Sequence, residues 1–361
     1  MPHRTINVFI VDDSAIVRTT ITTLLHNESD IIMQGVASDP LIAHAKFERL
    51  GWPDVIILDI EMPRMDGLTF LKQIMQERPT PVIICSSVAQ KGSHNAIEAL
   101  SLGAVEVIAK PEVGLKHFLE ESHFRLVYAI RAAYESKTNL KAGLKKSTVM
   151  THTKNNADVM LPLKANNAPH FIRPLIAIGS STGGVQTLEK VLPYLGEHIP
   201  PIVIVQHMPA GFTLSLAQRL NRLCSLSIKE AEDGDTLQQG HVYIAPGDKH
   251  MVLKRSPLGY ALEIKDGPKV SRHKPSIDVL FRSIANEAGV NAMGFILTGM
   301  GDDGAKGLKE MREKGAKTYA QDEESCIVYG MPKVAVEIDA VLASLTLEEI
   351  ITTIKRSGYA R

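Results

Sequence analysis

Ser181 stands at the centre of Gly179-Ser180-Ser181-Thr182-Gly183, and the apolar run Leu175–Ile178 leads into it. This Gly-x-Ser-x-Gly spacing presents a serine on a sharp turn from strand to helix. A serine is a poor nucleophile until a base takes its proton. Five histidines lie in the second half: His198, His207, His241, His250 and His273. Only His207 directly follows a strong apolar run, in Ile-Val-Ile-Val-Gln-His-Met-Pro. An imidazole's ordinary pKa of about 6.5 suits general-base work near neutral pH. The base needs an acceptor on its other nitrogen. Asp302 or Asp303, in Thr-Gly-Met-Gly-Asp-Asp-Gly after the run Gly294–Leu297, supplies one. The chain order is Ser…His…Asp, not the Ser…Asp…His of α/β-hydrolases, so the roles are shared and that fold is not expected. A phosphate cradle is the competing reading of the same loop. It lacks both the Gly-x-Gly-x-x-Gly spacing and the Gly-Lys-Ser/Thr ending of known cradles.

The first half carries a different set. The run Ile6–Val11 ends in Asp12-Asp13, Val55–Leu58 in Asp59, Pro81–Cys85 in Ser86-Ser87, and Val105–Ala109 in Lys110-Pro111. Ligands of open parallel sheets sit at the carboxyl ends of the strands. If these strands are neighbours, three carboxylates, a hydroxyl and an ammonium converge. Packed carboxylates repel unless a cation joins them, and a hard divalent ion suits oxygen ligands. Mg²⁺ with Lys110 could then hold a phosphoryl group on one carboxylate.

Both sets need strands to carry them. Residues 1–135 alternate apolar runs, with Ile31–Ala37 as a weaker fifth, and helix-length segments, the last from Leu115 to Tyr134. That pattern predicts a parallel sheet covered on both faces. The alternation resumes at Phe171 with Leu175–Ile178, Ile202–Val205, Gly294–Leu297 and Lys317–Ala320 as strands. Val242–Ile244 and Met251–Lys254 flank the turn Pro246-Gly247-Asp248 and read as a hairpin excursion. The fold class expected is α/β, with two doubly wound parallel-sheet domains at 1–135 and 171–361. Residues 136–170 hold six lysines against one acid, Asp158, a balance of 6 − 1 = +5, and no aromatic residue. Such a stretch buries too little apolar surface to order itself, so it reads as a flexible linker.

Composition excludes other classes. The 361 residues carry 40 basic and 40 acidic side chains, so bulk charge would not hold the chain to nucleic acid or anionic lipid. No apolar stretch approaches the roughly 18–20 residues of a membrane span. The apolar run at Val8–Val11 ends on two aspartates, unlike a secretory leader. Three scattered cysteines form no disulfide framework and no metal spacing, so a reducing cytoplasm is expected.

The motifs carry two resemblances. Val-Asp-Asp-Ser at 11–14, Leu-Asp-Ile-Glu-Met-Pro-Arg-Met-Asp-Gly at 58–67 and Gly-Ala…Lys-Pro at 103–111 resemble the receiver domain of bacterial response regulators, a flavodoxin-like fold. That resemblance implies phosphorylation of Asp59 by a histidine kinase. It implies Mg²⁺ held by Asp13, Asp59 and the carbonyl of Glu61, with Asp12 acting through water, and Ser86 and Lys110 as the pair that senses the phosphoryl group. Val107 stands where many receivers have an aromatic switch residue, so an aromatic rotamer switch is not expected.

Ile-Gly-Ser-Ser-Thr-Gly-Gly, Gln-His-Met-Pro-Ala-Gly-Phe, Tyr-Ile-Ala-Pro-Gly-Asp-Lys-His-Met, Leu-Thr-Gly-Met-Gly-Asp-Asp-Gly and Glu-Ser-Cys-Ile-Val-Tyr-Gly-Met-Pro resemble the chemotaxis protein-glutamate methylesterases, the CheB family. The resemblance implies a Rossmann-like three-layer domain with Ser181 as nucleophile, His207 as base, Asp303 as its orienter and amides near Thr182 and Met300 as oxyanion donors. Ser180, where relatives often carry Ala, is expected to set a second hydroxyl beside the nucleophile. The activity implied is hydrolysis of glutamyl methyl esters on chemoreceptors, with deamidation of specific receptor glutamines, under control of phosphorylation. No cofactor is implied for the ester reaction. Chemoreceptors and a chemotaxis histidine kinase are the implied partners; neither nucleic acid nor membrane insertion is, and a monomer is expected. A transcriptional response regulator and a nucleotide-binding module are the alternatives.

Overall fold

The computed structural model describes residues 5–86, 90–110, 116–139, 154–164 and 174–358. The chain divides into two compact units, Met1–Leu144 and Lys145–Arg361. Each is α/β.

The first unit alternates β1 (Ile6–Val11), α1 (Ala15–Leu25), β2 (Ile31–Ala37), α2 (Pro40–Leu50), β3 (Val55–Leu58), α3 (Gly67–Glu77), β4 (Val82–Ser86), α4 (Gln90–Ser101), β5 (Glu106–Ala109) and α5 (Lys116–Asn139). Its sheet is wholly parallel in the order β2-β1-β3-β4-β5. The central strands β3 and β4 are buried at every residue, as a sheet covered on both faces requires. Helix starts follow local chemistry. The Ser14 side chain accepts the Val17 N–H, Asp39 caps α2 ahead of Pro40, and Asp66 caps α3 through the Thr69 N–H. Gly67 follows that cap because a Cβ there would meet the Asp59 carbonyl oxygen at 2.1 Å. The close approach folds the β3–α3 loop back over the end of β3.

The second unit runs β6 (Leu175–Ser180), α6 (Gly184–Val191), β7 (Ile202–Gln206), α7 (Phe212–Leu223), β8 (Ser227–Glu230), β9 (His241–Ile244), β10 (His250–Ser256), β11 (Gly259–Lys265), α8 (Ile277–Glu287), β12 (Ala292–Ile296), α9 (Ala305–Glu313), β13 (Lys317–Gln321), α10 (Met331–Glu337), β14 (Ala343–Leu345) and α11 (Leu347–Ser357). Its main sheet has seven parallel strands in the order β14-β13-β12-β6-β7-β9-β8. Helix α8 is buried on nearly all sides. Leu280, Phe281 and Ile284 share one core with Met251, Leu253 and Leu262 of the β10–β11 hairpin. The strand order reverses at β6, whose neighbours are β12 and β7. The crevice outside their carboxyl ends is where such folds bind ligands.

Three expectations change. Val242–Ile244 is not half of a hairpin. It lies within β9, a parallel strand between β7 and β8, and the antiparallel hairpin is β10 with β11. The last helix of the first unit runs on through Asn139, so residues 136–139 are helical. Part of the expected linker is ordered as well. Residues 154–164 form a strap on the second unit, with a short 3-10 turn at Ala157–Val159. Ala157 is buried with Val252, Val270 and Val279, and Arg282 binds both Asp158 and the Leu161 carbonyl. Residues 140–153 and 165–170 of that stretch lie outside the described residues.

Candidate active site

Ser181 follows β6, His207 follows β7, and Asp303 lies on the loop after β12, so the three meet at the reversal point of the sheet. Residues Ser180 and Gln206 are direct partners across β6 and β7, and the His207 N–H donates to the Ser180 carbonyl at 3.0 Å. This register sets Ser181 and His207 side by side. On the other flank, the Ser181 N–H donates to the Thr298 carbonyl at 3.0 Å. Gly299 packs so closely that a Cβ there would meet the Ser181 Cβ at 2.6 Å.

His207 Nε2 lies 2.8 Å from Asp303 Oδ2. Its Nδ1 is buried and has no hydrogen-bond partner among the described residues. No hydrogen bond joins Ser181 to His207 among the described residues. Catalytic contacts of free enzymes are often loose until substrate is bound.

Asp303 is 2% exposed. Its Oδ2 also accepts from the Ile277 N–H at 2.9 Å, and its Oδ1 from Ser276 Oγ at 2.8 Å and the Asp278 N–H at 3.1 Å. The two amides are the first of α8, so the carboxylate sits on a helix N-terminus, where negative charge is favoured. Burial alone would raise its pKa. The hydrogen bond and charge of His207, the charge of His273 and the Ile277 amide hold it below the ordinary carboxylate range instead. Asp278, buried directly behind, is pushed up by burial and by the charge of Asp303. Asp302, the other candidate, faces away and pairs with Lys154 of the strap at 2.6 Å.

Three further groups hold this arrangement. Ser180 Oγ donates to Gln206 Oε1 at 2.6 Å, and Gln206 Nε2 donates to the Ser181 carbonyl at 2.9 Å and the His207 carbonyl at 3.2 Å. Ser180 is therefore spent on bracing the two strand ends and is not a spare hydroxyl beside Ser181. Thr298 Oγ1 donates to the Thr182 carbonyl at 3.0 Å and so ties the turn that contains Thr182 to the β12 loop that contains Met300. His250 accepts the Ser276 N–H on Nδ1 at 3.2 Å and bonds the Pro268 carbonyl through Nε2 at 3.0 Å, a neutral structural histidine beneath Asp303. Burial accordingly lowers its pKa. His273, one of the five histidines of the second half, lies with its ring against that of His207.

His207, His273 and Asp303 are near enough to share a cation. An ionised carboxylate offers about four acceptor positions. Asp303 already receives four hydrogen bonds, one of them from His207 itself.

In the first unit Asp12 follows β1, Asp59 follows β3, Ser86 ends β4 and Lys110 follows β5. The expected cluster does form. Lys110 Nζ lies 2.7 Å from Asp59 Oδ2 and 3.1 Å from Asp12 Oδ2. Neither oxygen has a well-directed hydrogen bond among the described residues. The Lys110 N–H donates to the Ser86 carbonyl at 2.9 Å, joining the ends of β4 and β5. Burial raises the pKa of Asp12 and pushes that of Asp59 up to about 6, against the opposing pull of Lys110. Buried carboxylates this short of positive charge fit a divalent cation. Asp12, Asp13 and Asp59 each offer an oxygen within 4.8 Å of the others. Exposed Glu61 is next to them, with its N–H 3.4 Å from Asp59 Oδ1. Val107 is buried in β5.

Comparison with known proteins separates the two units in the same way. Residues 8–120 match the response regulator receiver domain, and residues 176–354 match the CheB methylesterase family. The second match disfavours the transcriptional and nucleotide-binding alternatives. The protein-glutamate methylesterase/protein-glutamine glutaminase 3 of Shewanella oneidensis is 53% identical over 346 residues, 96% of this chain and 97% of the relative. The corresponding protein 1 of Pseudomonas savastanoi pv. phaseolicola is 51% identical over 352 residues, 97% of this chain and 98% of the relative. Among solved structures, the CheB methylesterase catalytic domain of Thermotoga maritima is 39% identical, with a TM-score of 0.50 over 51% of this chain and 97% of that one. A receiver domain followed by an esterase domain, with half of all residues shared along nearly the whole length, places this chain in the CheB methylesterase family.

Proposed function

We propose that the chain hydrolyses glutamyl methyl esters on chemoreceptors, releasing methanol, and deamidates specific receptor glutamines, with Ser181, His207 and Asp303 as its catalytic triad. The observation that carries this reading is the His207–Asp303 hydrogen bond beside Ser181 at the reversal point of the second sheet.

The steps follow from which atoms are committed. Asp303 accepts the Nε2–H of His207, so Nδ1 is the nitrogen left to act as base. Nδ1 is the ring nitrogen nearer the backbone of His207, whose strand end adjoins that of Ser181. It takes the Ser181 proton as Oγ attacks the ester carbonyl. Amides near Thr182 and Met300 face the oxyanion. Collapse expels methoxide, which leaves as methanol with the proton from His207. Water then enters on the same base and releases glutamate from Ser181. A glutamine side chain follows the same course with ammonia as leaving group. Throughout, Asp303 stays ionised and stabilises the imidazolium.

The receiver supplies control. Asp59 is the phosphoryl acceptor, served by a chemotaxis histidine kinase. Asp13, Asp59 and the Glu61 carbonyl would hold Mg²⁺, with Asp12 behind them through water. The ion would neutralise charge on the incoming phosphoryl group. Lys110 and Ser86 sense the product. These roles suit a cytoplasmic protein that meets the receptors by their cytoplasmic part. No helix among the described residues is long and apolar enough to cross a membrane.

The deciding experiment is methanol release from methylated receptor, with and without a small phosphodonor. Stimulated release that disappears in Ser181→Ala supports the reading. Equal release from Ser181→Ala refutes it.

A further inference from the structure

A single hydrogen bond fixes where an imidazole points and leaves its tilt about that bond free. Among the described residues, Nε2 of His207 has one such bond, to Asp303, and Nδ1 has none. Something else must set the plane of the ring. The His273 ring centroid lies 3.7 Å from that of His207, with the planes 51° apart. At that separation the two tilted rings are in contact.

The loop that delivers His273 is tightly constrained. Ser271 and Arg272, the two residues before it, both have left-handed backbone, with φ of 48° and 72°. Such conformations are costly outside glycine and persist only where the surroundings over-determine them. Here they are over-determined. Val270 and His273 exchange both backbone hydrogen bonds, at 3.1 and 2.8 Å. Ser271 Oγ donates to Asp278 Oδ2 at 2.9 Å and ties the loop to α8. The Ser271 N–H donates to the Asn155 carbonyl at 2.9 Å, and Asn155 Nδ2 donates to the Lys269 carbonyl at 3.1 Å. The strap therefore grips the loop at Lys269 and at Ser271, the first residue of its strained pair.

We propose that His273 is a positioning residue for the general base, its ring packed against the His207 imidazole and limiting how that ring tilts between Asp303 and Ser181. The inference rests on the triad reading above. It requires a flat ring at position 273 and assigns no proton to it.

The test uses the full chain and methylated receptor, with kcat and KM measured separately. A misplacement of about 1 Å near the reacting atoms can cost about 100-fold in rate. His273→Ala is expected to lower kcat by about 10–100-fold while KM moves less than about threefold. His273→Phe keeps a flat ring and is expected to stay within about fivefold of the parent. His273→Gln keeps hydrogen bonding without a ring and should resemble Ala. Full activity in Ala would overturn the proposal, and so would rescue by Gln but not by Phe. Melting temperatures accompany each variant; if Ala does not fold, the contrast between Phe and Gln decides. Ser181→Ala is assayed alongside. Retained activity there sinks the triad reading itself, whereas a dead Ser181→Ala with a fully active His273→Ala sinks only this inference.

Discussion

Asp302 and Asp303 are consecutive, yet their carboxylates serve opposite surroundings. Asp303 is buried against the N-terminus of α8 and takes four hydrogen bonds, one of them from His207. Asp302 is partly exposed and pairs with Lys154 on the strap. An amide at 303 would still fill the space but could not accept from every donor, and it would carry no charge to balance an imidazolium. Asp303→Asn should therefore cost roughly 10⁴ in kcat, the loss seen for the equivalent change in a well-studied triad. Asp302→Asn should stay within about threefold, since an exposed ion pair contributes about 1 kcal/mol or less. Side-by-side assays of methanol release check this, and equal losses would transfer the role.

Ser180 and Ser181 invite the same comparison. Ser181→Ala should remove on the order of 10⁴–10⁶ of turnover with no change in melting temperature. Ser180→Ala should do the reverse. It strips Gln206 Oε1 of its donor within a buried brace, which costs about 1–2 kcal/mol of stability, and kcat should fall no more than a few-fold. Thermal melts and initial rates on both variants separate the two roles.

These contrasts show where sequence reading stops. Ser181, His207, Asp59 and Lys110 were legible because each directly follows an apolar strand, and parallel sheets present ligands at strand ends. Asp302 and Asp303 were not separable by pattern, because what distinguishes them is α8, a helix placed by tertiary packing. His273 follows no strand; its position comes from a loop with left-handed backbone that no spacing rule reports. β8 was missed because only Ile228 of its four residues is buried, as befits an edge strand. β9 reads as half of a hairpin because the turn at Pro246-Gly247-Asp248 looks like a hairpin turn, while its true partners, β7 and β8, precede it along the chain. The strap was misread for a related reason. Its composition is that of a disordered segment, but Asp158 and Ala157 find their partners about 100 residues away or more.

Asp59 predicts a pH dependence in the receiver. Its carboxyl rises from 3.8 in the unfolded chain to about 6 when folded, mainly through burial. Between those values the folded state binds more protons, so stability falls as pH rises from about 4 to 6 and stays lowered above. The shift corresponds to roughly 3 kcal/mol of unfavourable ionisation at neutral pH. Asp59→Asn should therefore stabilise the receiver at pH 7.5 by up to about that amount and give little gain near pH 4. Mg²⁺ should narrow the gap at pH 7.5 by stabilising the parent more than the variant. Trp52 is the only tryptophan in the chain, so urea titrations followed by its fluorescence report this unit alone. A variant less stable than the parent at pH 7.5 would show that the Lys110 ion pair outweighs burial.

The strap predicts where an independently folding esterase unit begins. A boundary at residue 171 would discard residues 154–164. Arg282 would then lose Asp158 and the Leu161 carbonyl, keeping only Glu310. Val252, Val270 and Val279 would lose the cover of Ala157. Lys164 would leave the buried Glu287. Together these contacts are worth on the order of 2 kcal/mol, since each replaces contacts with water and the strap pays ordering entropy to make them. For a unit of this size that is roughly 4–8 °C in melting temperature. Residues 154–361 should thus melt several degrees above residues 171–361. The shorter piece also loses the Asn155 grip on the 269–273 loop, so its kcat should fall while KM holds. Differential scanning fluorimetry and methanol-release kinetics on the two fragments test both halves. Identical melting and identical kcat would mean that the strap rests on the surface without supporting it.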